Sequence, residues 1–354
     1  MRSPTIRDVA KAAGLSVAAV SRHLNRQIAL PDETARRIDD AVQRLGYQPN
    51  VIARRLSRGS SETLAFITSD IAYPFFAAVA SAAEAEAAAL GYSLLIFNSR
   101  NEISRELSLL SRITDHQVDG AILMTNHVDD GQLGEAVRKA RFVVLADEDV
   151  SGADVPRVFA DNETGGALAT RHLIATGHHR IAFIGGPRGL VSTEGRLAGF
   201  EMAMKEAGLP TEAALTRFGF YSEQAGAEAF RELMSMPEPP TAIFAIADLL
   251  AVGVISAARE MGVTIPDDLS VVSFDDIPYA HLLNPPLTTV HQSADEFGRV
   301  SARLLVDLIH GRSGSGERHS IPVKLIERGS VSAPPRSSSQ DNSKRRQGDP
   351  SQTG

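Results

Sequence analysis

Short apolar runs alternate with helical stretches through most of this chain, from Leu64 onward, and this alternation limits the possible folds most strongly. The runs are short and rich in β-branched residues, so they are predicted to be strands. They are LAFITS, YSLLIF, GAILM, FVVLA, RVFA, RIAFIG, TAIFAI and LSVVSF. Helices are expected to begin near Phe75, Ser104, Gly165, Glu194, Ser222, Asp248 and Ala294. Strands that alternate with helices predict parallel sheets covered by helices.

So many strand and helix units exceed one sheet, so we expect two α/β lobes within residues 62–332. The chain should cross between the lobes near Asp161 and again near Thr288. Ligands of open α/β sheets bind at the carboxyl ends of strands, which makes the cleft between the lobes the expected binding site. The predicted first lobe comprises residues 62–160 and 289–318, and the second comprises residues 161–288 and 319–332.

The first 46 residues have a different pattern, which predicts three short amphipathic helices. Thr5 is the expected N-cap of the first helix and Gly14 its stop, while Ser16 caps a second short helix. A third helix should run from about Asp32 to Leu45. Two short helices joined by a tight turn containing glycine are typical of a helix-turn-helix. The apolar positions of the expected core are Ile6, Val9, Ala10, Ala13, Val20, Leu24, Ile38, Val42 and Leu45.

Two further segments are expected to lack stable structure of their own. The stretch YQPNVIARRLSRGSS, within residues 47–61, could form a helix of about two turns, which is too short to be stable alone in water. We expect it to be ordered only when something holds it. Residues 333–354 are polar, contain no large apolar side chain and are predicted to be disordered.

Charge is distributed unevenly along the chain. Residues 1–60 contain eleven lysines and arginines and five acids, although the whole chain has a formal net charge of −7. A basic head on an acidic body is expected if only the head contacts phosphates, although a basic stretch alone is more often just a solvated surface.

Several classes of protein are disfavoured by what the sequence lacks. There is no cysteine, so we expect no disulfide and no thiolate metal site, and no cofactor or metal is indicated. The opening MRSPTIRDVA has no continuous apolar core of the kind a signal peptide needs. No run reaches the roughly 18 uncharged apolar residues that span a bilayer. These features predict a cytoplasmic protein with no membrane association.

Six motifs follow one another in a characteristic order. They are TIRDVAKAAGLSVAAVSRHLN, RLGYQPNVIARRL, DIAYPFF, RHLIATGHHRIAFIGGP, GRLAGF and SVVSFDDIPYAHLLNPPLTTVHQ. Together they resemble the LacI/GalR family of bacterial regulators over nearly the whole chain, up to about Ser332. The resemblance implies a helix-turn-helix DNA-binding domain at residues 1–46, a hinge helix and linker at 47–61, and a two-lobe α/β periplasmic-binding-protein-like domain at 62–332. This domain would bind the effector and dimerise.

The resemblance also implies where such a chain contacts double-stranded operator DNA. A homodimer would lay the second helix of each head in the major groove of a near-palindromic operator. Val17, Ala18 and Arg22 fall where family members contact base edges. Ala19 stands where the family usually has threonine. The remaining expected contacts are Thr5, Ser16, Ser21 and Asn25 in the head, and Asn50, Ala53 and Arg54 in the hinge.

Leu56 has two possible roles. A hinge leucine could simply pack on the domain that follows, as apolar residues commonly do. The family resemblance implies instead that Leu56 is a wedge between central base pairs, which unstacks them and bends the DNA.

Residues that could bind the effector lie at the carboxyl ends of strands. Asp275 and Arg196 match family residues that hydrogen-bond ligand hydroxyls or carboxylates, and Asp147 matches a further polar contact. Tyr221 matches an aromatic wall, and such a combination suits a sugar or a related metabolite. Asp248 follows another strand. Asp248, Asp275 and Asp276 could equally be helix N-caps or turn residues. Ser69, Tyr73, Phe75 and Phe76, at a strand-to-helix turn of the first lobe, complete the expected effector site.

Two positions of the expected pocket depart from the family pattern. Ala247 stands where asparagine is common, and Glu148 where arginine is common. The acidic run from Asp147 to Asp149 could favour a ligand with a cationic group, or could be a surface loop.

The sequence contains no recognisable catalytic constellation. GGPRG at 185–189 lacks the Lys-Ser/Thr pair of a phosphate-binding loop, and His178 and His179 follow Gly177 at a helix end. An effector-controlled repressor is therefore favoured over a sugar-binding transport protein or a sugar kinase fused to a DNA-binding head. Tetramers of the resembling family use a C-terminal leucine repeat, which residues 333–354 lack, so the resemblance implies a dimer rather than a tetramer.

Overall fold

The computed structural model describes residues 4–24, 28–47, 60–128, 130–314 and 316–335. Internal contacts divide the chain into two compact units, Met1–Glu62 and Thr63–Gly354. The predicted hinge helix, and the predicted disorder of residues 336–354, lie outside the described residues.

The first unit contains three helices, α1 (Ile6–Ala13), α2 (Val17–Leu24) and α3 (Asp32–Leu45). The Asp8 carboxylate accepts hydrogen bonds from the Thr5 amide (2.8 Å) and the Thr5 hydroxyl (2.7 Å), which fixes the start of α1. Helix α1 ends at Gly14, whose φ of +66° is a conformation that glycine adopts without strain. We call residues 4–47 of this unit the head.

Apolar side chains from all three helices form the core of the head. Arg37 of α3 donates a hydrogen bond to the Ala13 carbonyl at 2.6 Å and so ties α3 to the end of α1. The predicted helix-turn-helix and its core are confirmed. The fully buried members are Val9, Ala10, Ala13, Val20, Ile38 and Ala41, and Ile6, Leu24, Val42 and Leu45 pack around them.

The second unit contains two six-stranded sheets, each flanked by helices. The first is parallel throughout, with strand order β2-β1-β3-β4-β5-β11. Its strands are β1 (Thr63–Thr68), β2 (Ser93–Asn98), β3 (Gly120–Met124), β4 (Val143–Ala146), β5 (Arg157–Ala160) and β11 (Arg318–Ile321). Its helices are α4 (Pro74–Ala89), α5 (Ile103–Thr114), α6 (Gln132–Ala140) and α11 (Ala294–Ile309), and α11 packs against α4.

The second sheet has the order β7-β6-β8-β9-β10-β12, with only β12 antiparallel to its neighbour. Helix α7 packs against α8, and α9 against α10. The strands are β6 (Ile181–Gly185), β7 (Thr216–Phe218), β8 (Ala242–Ala245), β9 (Ser270–Asp275), β10 (Thr288–Gln292) and β12 (Val323–Ile326). The helices are α7 (Asn162–Ala175), α8 (Val191–Glu206), α9 (Glu223–Met234) and α10 (Asp248–Met261).

The chain crosses between the two lobes three times: after β5, after β10 and between β11 and β12. Two of the expected lobe boundaries were therefore wrong by a few residues. Residues 289–292 belong to the second lobe because β10 pairs with β9 before the chain crosses. Residues 319–321 belong to the first lobe because β11 pairs with β5.

The eight predicted strands are all present, and the seven predicted helices begin within three residues of the expected positions. The elements that the sequence pattern missed are β7, β10, β11, β12 and α6. None of them contains a continuous apolar run, and β7, β11 and β12 lie at sheet edges or carry several exposed residues. In the part of the chain that the structure describes, no helix is long and apolar enough to span a membrane.

Candidate effector site and nucleic-acid interface

A small cavity lies between the two lobes, where the carboxyl ends of strands from both sheets meet. Its volume is about 20 Å³, which is room for about one water molecule. Ligand pockets commonly measure roughly 300–1,000 Å³, so a sugar-sized molecule can enter only if the lobes part. The lining residues are Tyr73, Phe75, Phe76, Asn126, Asp147, Ser192, Arg196, Tyr221, Ala247, Asp275 and Gln292.

Arg196 is held rigidly at the centre of the cavity wall. Its Nε donates to the Asn162 side chain at 2.9 Å, and an Nη donates to the Ile246 carbonyl at 2.7 Å. The guanidinium lies 3.7 Å from the centroid of the Phe274 ring and 3.7 Å from an Asp275 carboxylate oxygen. These contacts fix a buried cation in one orientation, which is the arrangement needed to bind hydroxyl or carboxylate oxygens.

Asp275 joins the two lobes through its carboxylate. The Tyr73 hydroxyl from the first lobe donates to it, and Gln292 Nε2 donates to it at 2.6 Å. Burial raises the pKa of Asp275 to about 7, against the opposing effect of the Arg196 charge. The backbone of Asp275 has a φ of +113°, which is unusual for a residue other than glycine. A strained backbone at a charged, buried position is typical of a functional site.

Two buried oxygen atoms of the cavity wall are hydrogen-bond acceptors without a donor among the described residues. They are Asp147 Oδ1 and Gln292 Oε1. Burial also raises the pKa of Asp147, while Arg196 lowers it. A buried acceptor without a donor costs about 1–3 kcal/mol, so a molecule that presents hydrogen-bond donors here would gain free energy.

Aromatic side chains form the apolar part of the wall. Tyr221 lies so close to Gly186 that a Cβ at this glycine would be 2.3 Å from the Tyr221 Cζ. The Tyr221 hydroxyl is 2.9 Å from both Ser192 Oγ and Thr193 Oγ1 at the start of α8. Opposite it, the rings of Tyr73 and Phe76 meet edge to face, with their centroids 5.0 Å apart.

The structure brings together seven of the nine predicted effector residues. Ser69 and Asp248 are buried outside the lining of the cavity. The Asp248 carboxylate is occupied by Ser273 Oγ (2.5 Å), Thr289 Oγ1 (2.7 Å) and the Ile277 amide (2.8 Å), so it ties β9 and β10 together.

Sequence reasoning missed three polar lining residues, Asn126, Ser192 and Gln292. Asn126 follows β3 and Gln292 ends β10, so the rule that ligands bind at the carboxyl ends of strands could have found both. Gln292 was obscured because β10 itself was not predicted. Within the described ranges, no group of three or more histidine, aspartate or glutamate residues is suited to a metal ion.

The head presents a different kind of candidate site, on the outer face of α2. Val17 is 41% exposed, and Ala18 and Arg22 are exposed beside it. Ser16 caps α2, because its hydroxyl accepts a hydrogen bond from the Ala19 amide at 3.2 Å. Ser21 and Thr5 are half-buried. The other predicted DNA contacts, Asn25, Asn50, Ala53, Arg54 and Leu56, lie outside the described residues.

Comparison with known proteins places both units in recognised groups. A family model described as "Bacterial regulatory proteins, lacI family" matches residues 5–50, and one described as "Periplasmic binding protein-like domain" matches residues 170–331. Among solved structures, a Lac repressor dimer bound to operator and the anti-inducer ONPF covers 94% of this chain with 26% identity and a TM-score of 0.82. A complex of the transcriptional regulator CelR with cellobiose covers 92% with 31% identity and a TM-score of 0.71. The predicted fold class is confirmed.

Two repressors match this chain over almost their entire length. The HTH-type transcriptional repressor CytR of Escherichia coli (strain K12) is 34% identical over 94% of this chain and 97% of its own. The HTH-type transcriptional repressor PurR of Erwinia tasmaniensis is 34% identical over 94% of this chain and 98% of its own. These relatives are transcriptional repressors rather than enzymes, as the sequence predicted for this chain. The chain belongs to the lacI family of bacterial regulatory proteins.

Proposed function

We propose that this protein is a ligand-responsive, sequence-specific transcriptional repressor that binds a near-palindromic operator as a homodimer. The observation that carries the proposal is the buried cavity between the lobes, in a chain whose head exposes an apolar and basic helix face. The relatives CytR and PurR are repressors, and the Lac repressor structure contains both operator and a small molecule. Because its target is DNA, the protein acts in the cytoplasm.

Helix α2 is the proposed recognition helix. Val17 and Ala18 offer apolar contacts for thymine methyl groups, and Arg22 offers a two-pronged donor for guanine. Ser16, Ser21, Thr5 and Asn25 would contact phosphates and set the orientation of the head. The hinge residues Asn50, Ala53 and Arg54 would bind the minor groove, with Leu56 as the wedge. On this proposal Leu56→Ala weakens specific binding far more than nonspecific binding.

The effector is a sugar or a related metabolite that carries both hydrogen-bond donors and an apolar face. Its donors would satisfy Asp147 Oδ1 and Gln292 Oε1, and its oxygen atoms would accept from Arg196. The rings of Tyr73, Phe76 and Tyr221 would cover its C–H surface. Ligand binding would change how far the lobes close, and so the spacing of the two hinge helices in the dimer.

The edge of the first sheet is the proposed contact with the second subunit. Strand β2 is an edge strand, and Leu95 and Ile96 on it are 45% and 47% exposed. An exposed apolar edge strand invites pairing with another chain, so a stable protein must cover it. The proposed partner is a second copy of this chain, since the related Lac repressor structure is a dimer.

A thermal-shift screen of the full chain tests the effector. Sugars, sugar acids, sugar phosphates, polyols and purines would be added singly, because a ligand that binds only the folded state must raise its melting temperature. We expect one class to do so, and Asp147→Ala, which removes the acceptor oxygens, to abolish the shift. Asp115→Ala is the matched control, since Asp115 is exposed at the end of α5. If no class raises the melting temperature, the effector part of the proposal is wrong.

Operator binding is tested separately by selecting bound duplexes from a random DNA library. A near-palindromic sequence should be recovered, with affinity that falls steeply as salt rises. Recovery of no common sequence would contradict the repressor proposal itself.

A further inference from the structure

We propose that Glu148 is a positioning residue that clasps the two lobes in the closed form by binding the first turn of α8. The inference rests on the proposed effector function of the cavity. Glu148 does not line the cavity itself. The sequence marks it as a departure from the family pattern and as part of the acidic run from Asp147 to Asp149.

The clasp consists of hydrogen bonds that cross from one lobe to the other. Glu148 follows β4 in the first lobe, and its carboxylate accepts from the Val191 amide at 2.6 Å and the Ser192 amide at 3.3 Å. The Ser192 hydroxyl donates to it as well. Glu148 is only 1% exposed, so these bonds form out of contact with water.

The partners of Glu148 are groups that need an acceptor. The first amides of a helix have no intrahelical carbonyl to bind, so they need an acceptor from elsewhere in the protein. Helix α8 has no side-chain N-cap of its own, because Leu190 occupies that position. Glu148 therefore caps α8 from the opposite lobe, and the cap exists only while the lobes are closed.

The same turn of α8 forms part of the cavity wall. Ser192 Oγ is also 2.9 Å from the Tyr221 hydroxyl, and Arg196 follows one helical turn later. When Glu148 holds Ser192, it fixes the position of the polar and aromatic wall that the effector meets. Closing the lobes therefore also fixes this part of the cavity wall.

The charge of the cluster limits how strongly the clasp can hold. Burial and the adjacent Asp147 carboxylate raise the pKa of Glu148 to about 8, although the bonds from Ser192 and Val191 and the Arg196 charge oppose this. The charge of Arg196 acts on three buried acids, Asp147, Glu148 and Asp275. The clasp therefore favours closure without making it irreversible, as a ligand-controlled equilibrium requires.

Hydrogen exchange of the Val191 and Ser192 amides in the full-length dimer, without effector, tests the clasp directly. Because neither amide has an intrahelical partner, its protection depends on Glu148. We expect both amides to exchange at least about tenfold faster in Glu148→Ala. Glu148→Gln, which keeps one acceptor oxygen, should be intermediate. Glu163→Gln changes an exposed acid in the first turn of α7 and should leave the rates unchanged.

Amides in the middle of α5, which is remote in sequence from the clasp, separate this local effect from general unfolding. If they exchange faster too, Glu148→Ala is destabilised globally, and the proposal is then tested with Glu148→Gln instead. The proposal is overturned if the Val191 and Ser192 amides of the tested variant exchange at the same rate as in the wild type.

The experiment needs no effector, so failure of the ligand screen does not affect it. Once a ligand is known, Glu148→Ala should lower its Kd by about tenfold, because the clasp holds the lobes closed around a cavity of about 20 Å³ that has no room for the ligand. An unchanged Kd would show that Glu148 caps α8 without influencing the site.

Discussion

The head and the cavity are both candidate binding sites, but they are built in opposite ways. The proposed recognition residues Val17, Ala18 and Arg22 lie within six residues of one another on one helix and are exposed. The cavity residues come from both sheets and are separated by up to about 220 positions, as Tyr73 and Gln292 are, and the charged ones are buried. An exposed site can therefore change with little effect on folding, whereas a buried charged site is part of what holds its domain together.

The largest expected effect of this difference is on stability, at Arg196. Arg196→Ala removes the buried cation whose charge lowers the pKa of Asp147, Glu148 and Asp275, and it leaves the Asn162 side chain and the Ile246 carbonyl without their donor. We expect a loss of about 3–5 kcal/mol in the free energy of unfolding, measured by urea denaturation.

The control is Arg171→Ala, because Arg171 forms an exposed ion pair with Glu206 at 2.8 Å. An exposed pair contributes at most about 1 kcal/mol. Equal losses in the two variants would show that the cavity charges do not hold the domain together.

At Arg22 we expect the reverse, a change in binding with stability unaltered. Arg22→Ala removes an exposed side chain, so the melting temperature should stay within error of the wild type. Affinity for the selected operator should fall by about 1–3 kcal/mol, with discrimination relaxed at one base position. Arg44→Ala, at an exposed arginine in the last turn of α3, is the control. Equal loss on operator and random DNA would assign Arg22 to phosphate binding instead.

The same contrast explains what could be predicted from sequence. The head followed from local signals, since Thr5, Gly14 and Ser16 mark helix ends and the apolar stripes mark the core. Most buried strands followed from their apolar runs, but β7, β10, β11 and β12 have no such run. Whether an aspartate faces the cavity is a tertiary fact: Asp275 and Asp248 both lie at carboxyl ends of strands, yet only Asp275 lines the cavity.

The hydrogen bond between Glu148 and Ser192 shows most clearly what the sequence cannot predict. The two residues are 44 positions apart and belong to different lobes. No periodicity or cap motif in either segment indicates that they meet. The sequence could mark Glu148 as unusual for the family, but only the fold supplies its partner.

The pH dependence of stability tests the buried acids around the cavity. The pKa of Glu148 is raised to about 8 in the folded protein, above its usual value, so the folded state binds a proton more tightly than the unfolded state. The stability that this group contributes is present at low pH and is lost as pH rises through about 8.

We therefore expect the wild type to lose up to about 1.4 kcal/mol per pH unit relative to Glu148→Gln between pH 6 and pH 8. Melting curves of both proteins across this range measure it. Parallel curves would show that Glu148 does not titrate there.

The smallest expected effect is at Ser16, where structure and binding overlap within the head. Ser16→Ala removes the acceptor for the Ala19 amide, so α2 should lose about 1 kcal/mol, seen as faster hydrogen exchange within residues 17–24. Ser16→Thr keeps a hydroxyl cap and should restore most of the protection. If Ser16 also contacts a phosphate, Ser16→Ala should weaken operator and random DNA equally, and Ser16→Thr should recover both. Lost protection with undiminished DNA binding would make Ser16 a helix cap alone, and would show that the exposed site tolerates a weakened helix.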